Sequence, residues 1–326
     1  MKTSFYWIKR VVALVGIVLL IILPFTTIPR NWLLYLFLYL TYLAMANMWN
    51  LLAGYSGLLS LCQPAFIGIA GYTLVVFTWS GLPFYLGIIG GGVTAALIAV
   101  IISLPVFRLR GIYFAIGTLI IPELLRIIFL MWKPVKSELS GGGAGYAIKG
   151  IYSISLNEIY WLILIICVIS IVMLHNILHS KLGLGLAAIR DNERAAESSG
   201  IPVFKIKLIT FILSAFVTGL AGAVFYVYQG YIEPSNAFNI RWTMVLMLAT
   251  VIGGMGTELG PVVGAIIVVI LHFTLSRFSG LSLLIQGIIL VVIMLLAPKG
   301  IIGLINNLFS HPNKKAYSGS LSNRPA

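Results

Sequence analysis

Ten apolar stretches follow one another along this chain, and each is about as long as the hydrocarbon core of a bilayer requires. A spanning helix needs about 20 apolar residues. Such stretches fall at about 9–28, 32–53, 58–79, 84–107, 111–132, 158–178, 205–228, 242–255, 260–278 and 281–297. In lipid every backbone polar group must find its partner within the segment, so these spans have to be helices. The expected architecture is an all-α polytopic membrane protein of about 10 transmembrane helices, some of them short or broken. Of the 326 residues, 60% are hydrophobic and only 9% charged, with a mean hydropathy of +1.07, which excludes an ordinary soluble domain.

The third and eighth stretches carry helix breakers. The third holds Gln63, Pro64, Gly68 and Gly71, and the eighth runs into GGMGTELGP at 253–261. Broken helices are tolerated at membrane depth only where protein or a watery cavity covers the freed backbone. Gln63, Pro64, Gly253, Gly254 and Gly256 are therefore candidates for a translocation pathway, against the plainer alternative that glycine simply lets helices pack closely. Tyr113, opening the fifth stretch, joins that set. Glu123 lies thirteen residues beyond Arg110, about 20 Å along a helix and so near the midplane. Arg126, three residues on, shares its face and can neutralise it. An ionisable residue inside the membrane marks a pathway by default, the alternative being a structural pair that positions its helix.

Between the sixth and seventh stretches the pattern reverses. Residues 180–203, SKLGLGLAAIRDNERAAESSGIPV, place Arg190, Asp191, Glu193, Arg194 and Glu197 within eight residues. Threading five charges through hydrocarbon would cost roughly 12 kcal/mol at ~2.5 each, so this island sits in water. Ala, Leu, Arg and Glu dominate 184–199, and Gly200 followed by Pro202 forms a stop, which predicts one amphipathic helix. Leu182, Leu186, Ile189, Glu193 and Ala196 fall on one stripe; Arg190, Arg194 and Glu197 fall on another. With Ala195 and Ala196 offering a flat surface, a helix tethered between two spans is suited to docking in a groove. The docking set is Leu186, Ile189, Arg190, Asp191, Glu193, Arg194, Ala195, Ala196 and Gly200.

With the island in the cytoplasm, fourteen Lys and Arg fall inside and six outside, which places both termini inside. The net charge of +13 is thereby explained by short loops rather than by a nucleic-acid stripe. The N-terminal stretch has no small-residue cleavage site and reads as a retained first span. One transmembrane domain covers 1–303, and 304–326 is a short polar tail. The outer loop at 133–156 holds a glycine run, SGGGAG, read either as a place of close backbone approach or as a flexible loop. Cys62 and Cys167 lie in apolar stretches and read as free thiols. No phosphate-binding GxxxxGK[ST] loop, HExxH, paired CxxC or nucleophile elbow is present, which argues against an ATPase or an enzyme. His175 and His179 have a metal-clamp spacing but no third ligand nearby in sequence, so they read as interfacial polar residues.

The island and the span after it, LGLGLAAIRDNERAAESSGIPVFKIKLITFILSAFVTGLAGA, resemble the cytoplasmic loop and following span of branched-chain amino acid ABC permeases of the LivM type. GYSGLLSLCQPAFIGIAGY (54–72), RLRGIYFAIGTLIIPELLRII (108–128), SGGGAGYAIKGI (140–151), VIGGMGTELGPVVGA (251–265) and APKGIIGLI (297–305) agree in order and spacing. The resemblance implies a membrane subunit of a binding-protein-dependent importer in the cell membrane. It implies pairing with a second, LivH-like permease, with ATP-binding cassette subunits that carry the ATP and Mg²⁺, and with a substrate-binding protein. No cofactor is expected in this chain. In the family the loop matching residues 184–201 seats in a cleft of the cassette subunit and transmits its closure. The wording around Cys62, Gln63 and Pro64 departs from the commoner Gly-His-Ala or Gly-Gln-Ala, and urea and short-amide permeases share the same motifs. An ion-coupled secondary transporter is the other reading, and it would need ligands at midplane beyond Glu123.

Overall fold

The first helix has no polar face, and the rest of the protein is arranged around it. In a computed structural model, which describes residues 24, 29–133, 135, 141–151, 154–275, 281–296 and 300–303, α1 runs over Arg30–Asn50 and closes with a π-turn at Leu51–Tyr55. Every residue from Leu40 to Asn50 is buried. A helix apolar all round belongs in the middle of a bundle. It is followed by α2 (Gln63–Trp79), α3 (Phe84–Val106), α4 (Ile112–Met131) and α5 (Leu156–Leu178). The island forms α6 (Lys181–Asp191) and α7 (Glu193–Ser198), and α8 (Val203–Gln229) returns through the bundle. A short α9 (Pro234–Ala237) precedes α10 (Arg241–Gly253), α11 (Gly260–Leu275) and α12 (Ser282–Leu296).

Six of these helices are long and apolar enough to cross a membrane, and α2 and α11 are shorter apolar helices. The protein is thus an almost wholly helical, multi-pass membrane protein. The first expected span, apart from Pro24, and the polar tail lie outside the described residues. Around α1 pack α5, α8, α10 and α11, while α2, α3 and α8 form a second tight group. Small residues set the spacing. A Cβ at Gly219 of α8 would lie 3.1 Å from the Gly91 carbonyl and 2.7 Å from the Ala95 methyl of α3. By contrast α4 rests on the margin, with 22% of its most apolar window buried.

One expectation changes, and two others take a definite form. The helix expected over 184–199 is two helices. Asn192 adopts φ −159° and ψ 105°, and its side-chain oxygen accepts the Ala195 N–H at 3.1 Å, so it caps a new helix instead of continuing the old one. The third and eighth stretches are shorter as helices than as apolar runs. α2 starts only at Gln63, and the 13 residues of α10 reach about 20 Å, less than the ~30 Å core. The outer glycine run is built rather than slack. Gly141, Gly142 and Gly145 have φ of 124°, 57° and 72°, a region closed to most side chains. They turn the chain into β1 (Tyr146–Ala147), which pairs antiparallel with β2 (Tyr231–Ile232), and Trp79 Nε1 donates to the Ala147 carbonyl at 2.9 Å.

The end of α1 is where the parts are tied together. Asn47 Nδ2 donates to Ser170 Oγ of α5 at 3.3 Å, Ser214 of α8 donates to the Met48 carbonyl at 3.1 Å, and Trp49 Nε1 donates to the Ser60 carbonyl at 2.9 Å. Asn50, fully buried, accepts the Gly256 N–H at 2.8 Å and donates to the Thr257 carbonyl at 2.9 Å. Asn50→Ala strands both backbone groups. The expected cost is about 3 kcal/mol, seen as a lower melting temperature of the solubilised protein.

Candidate coupling site and membrane cleft

The island is seated on the bundle by its apolar stripe. Ser180 caps α6 by accepting the Leu182 N–H at 3.2 Å. Leu186, Ile189 and Ala196 are buried in one cluster with Leu51 of the π-turn, Leu174 and Ile177 of α5, and Val203 and Ile206 of α8. Glu193 meets Lys207 of α8 at 2.7 Å, and that lysine side chain is only 5% exposed. These members of the docking set hold the island to its own spans. Facing outward are Arg190, Asp191, Arg194, Ala195 and Gly200, together with Leu184, which is 75% exposed although apolar. Ala195 and Ala196 do not form a common flat surface, because the second is covered.

Arg190 does more than face water. Its Nη1 donates to the Gly54 carbonyl at 3.1 Å, inside the π-turn that ends α1. Gly54 in turn abuts Gly256: a Cβ at Gly54 would approach the Gly256 Cα to 2.9 Å. Gly253, Gly254 and Gly256 therefore lie at the island end of the bundle. Gly254 and Gly256 turn the chain with φ of 125° and 76°, and Gly300 from the C-terminal segment rests on Gly254. These glycines do not line the cleft described next.

After the π-turn, residues 57–62 run as an irregular, non-helical strap to the start of α2. Leu61 is fixed at both its backbone groups: its N–H donates to Thr118 Oγ1 at 3.0 Å, and its carbonyl accepts from Thr243 Oγ1 at 3.2 Å. Thr118 is the seventh residue of α4, about 9 Å along that helix, so the strap and the start of α10 meet within the depth of a span. Above them opens a cleft of about 500 Å³. Leu61 and Pro64 form one wall, Pro122, Glu123 and Arg126 of α4 another, and Ser235, Phe238 and Asn239 from the break before α10 a third. Glu123 and Arg126 are paired in bidentate fashion, at 2.5 and 2.8 Å. Gln63 is fully buried beside Pro64, and among the described residues neither of its amide atoms has a hydrogen-bond partner. Tyr113, 69% exposed at the start of α4, lies apart from the cleft. A walled pocket with apolar sides, two opposite charges and two uncharged polar groups fits a small amphiphilic solute.

A family model described as "Branched-chain amino acid transport system / permease component" matches residues 31–298. The chain belongs to that family. The permease is 28% identical over 307 residues to the high-affinity branched-chain amino acid transport system permease protein LivM of Escherichia coli, with 85% of this chain and 70% of the relative covered. The same figures hold for the LivM protein of Salmonella typhimurium. More distant is the ribose import permease protein RbsC of Escherichia coli, 28% identical over 190 residues that cover 56% of this chain and 58% of the relative. No solved structure matches the permease.

Reading the sequence of the permease missed Asn50, Gly54 and Lys207, the residues that seat the island, and the cleft residues Ser235 and Asn239. The signal for the last two is the run EPSNAFN at 233–239, mostly polar residues and proline, between apolar stretches. Breaking the Glu193/Lys207 pair leaves a nearly buried ammonium. Glu193→Ala should destabilise the solubilised permease by about 3 kcal/mol, the low end for a buried pair because Glu193 is partly open to water. Lys207→Met in the same protein should restore most of that loss, measured as melting temperatures around a double-mutant cycle.

Proposed function

We propose that this chain is one membrane half of an ABC importer for branched-chain amino acids, and that the α6 and α7 island is the handle through which ATP-binding cassette subunits move it. What carries the reading is the bond from Arg190 to the Gly54 carbonyl. It joins the island to a strap that, seven residues later, forms the wall of the cleft at Leu61.

The proposed cycle starts with a solute-loaded binding protein docking on the face that carries β1 and β2. ATP and Mg²⁺ bound by the cassette subunits close them on the outward surface of the island, on Leu184, Asp191, Arg194, Ala195 and Glu197. The buried stripe of Leu186, Ile189 and Ala196 makes the island move with α5 and α8 rather than slide over them. Arg190 pulls on the π-turn, the strap shifts against α4 and α10, and the cleft changes the side to which it opens. A second, LivH-like permease closes the remaining wall. In this reading ten spans cross the inner membrane with both termini in the cytoplasm, residues 1–303 make the permease domain, and 304–326 the tail. The chain holds no cofactor of its own.

The cleft also bears on the solute. A free amino acid carries an ammonium and a carboxylate, which Glu123 and Arg126 complement once their mutual pair opens, while Leu61 and Phe238 accept an aliphatic side chain. Urea and short amides carry no net charges and have no need of such a pair.

Arg190→Ala should leave the protein inserted and assembled, yet lower ATP-driven leucine uptake in proteoliposomes at least tenfold. ATP hydrolysis by the cassette subunits should persist, uncoupled from transport. Unchanged uptake would remove the island from the mechanism. Glu123→Gln and Arg126→Gln should each reduce leucine uptake by tenfold or more through loss of a charge-assisted bond. Uptake that survives ATP depletion but stops when the proton gradient collapses would instead favour an ion-coupled carrier.

A further inference from the structure

The fold supplies the third ligand that the sequence spacing of His175 and His179 left missing. Glu258, on the turn between α10 and α11, reaches the end of α5, where its Oε2 lies 3.1 Å from His175 Nδ1. One ligand atom from each of His175, His179 and Glu258 falls within 4.8 Å of the others. We propose that these three residues form a binding site for a divalent transition-metal ion of the Zn²⁺ class.

The tautomer of His179 is already set. Its Nδ1 lies 2.8 Å from the His175 carbonyl, which can only accept, so Nδ1 carries the hydrogen and the neutral ring presents its Nε2 lone pair. A backbone carbonyl behind a ligating imidazole is the usual way such a ring is oriented for a metal. The two rings lie side by side, with centroids 4.1 Å apart. Two imidazoles and one carboxylate form a donor set suited to Zn²⁺ and its neighbours, whereas Ca²⁺ and Mg²⁺ prefer oxygen alone. At the usual bond lengths of about 2.1 Å, tetrahedral donors stand ~3.4 Å apart, so binding draws the three side chains together by about 1 Å. The side chains of His175 and Glu258 are 51% and 43% exposed, which leaves room for that movement and for water in the open position. A simple ion pair between His175 and Glu258 would give His179 no part.

A metal here would join the last turn of α5, immediately before the island, to the turn whose Gly256 and Thr257 are held by Asn50. It would fix the segment on which the island hinges. The test uses full-length, tag-free protein, stripped with a chelator and titrated calorimetrically with Zn²⁺, with Co²⁺ as the spectroscopic probe. One equivalent of Zn²⁺ should bind, and Co²⁺ should show the visible bands of a low-symmetry, nitrogen-ligated site. His179→Ala and Glu258→Gln should each weaken binding at least tenfold, while His272→Ala should not. Because His179→Ala keeps the His175/Glu258 contact, its melting temperature without metal should match the parent, and Zn²⁺ should raise only the parent's. Amide exchange at 176–183 and 255–259 should slow with Zn²⁺ in the parent and not in His179→Ala. Absence of Zn²⁺ binding in the micromolar range, or binding that survives both substitutions, overturns the site.

Discussion

A bilayer offers no water to a broken helix, so the interruptions after α1, before α10 and between α10 and α11 have to be satisfied from within. Asn50 resolves the tightest of them. Standing in the last turn of α1, it gives an acceptor to Gly256 and a donor to the Thr257 carbonyl, so a turn at the end of α10 is held by one buried amide. The same turn of α1 binds Ser170, Ser214 and Ser60. With every other residue there apolar, these few polar bonds fix the rotation and height of four neighbouring elements. The strap can then be irregular rather than helical, because Trp49, Thr118 and Thr243 take over bonds its own helix would have made.

That arrangement brings the island and the cleft close together in the chain even though they lie at different depths. Gly54, bonded to Arg190, and Leu61, on the cleft wall, are separated by six residues, of which 57–60 have no helical ladder. The connection is short and stiff at both ends. On the island side, the stripe ending in Ala196 and the pair between Glu193 and Lys207 prevent independent rocking. In the proposed cycle an input at the outward surface would therefore have few places to dissipate before it reaches the membrane interior.

Much of this was legible in the residues. Apolar run lengths pointed to a multi-pass helical protein, although six helices among the described residues are long and apolar enough to cross against about ten expected; five charges in eight residues marked the island, and Gln63 with Pro64 a break. Helix periodicity also put Leu186, Ile189 and Ala196 on one face, although it did not reveal that this face looks inward. What escaped were single polar residues whose partners are distant in sequence. Asn50 pairs with residues more than 200 positions away, and Glu258 with a histidine 83 positions away. Nothing local distinguishes such a residue from an idle one. Asn192 was missed for a different reason: a cap and a mid-helix asparagine are the same letter until the backbone chooses.

The bareness of α4 carries a last implication. Ile116, Ile120, Leu124 and Ile127 are exposed along it, and the paired charges of Glu123 and Arg126 sit on the same thinly covered helix. Oily side chains tolerate fatty acyl tails; a carboxylate and a guanidinium do not. In the proposed assembly a solitary copy would thus be a poor resident of the bilayer until the second subunit shields that flank, and the lipid itself would discriminate complete assemblies from orphans before any solute has moved.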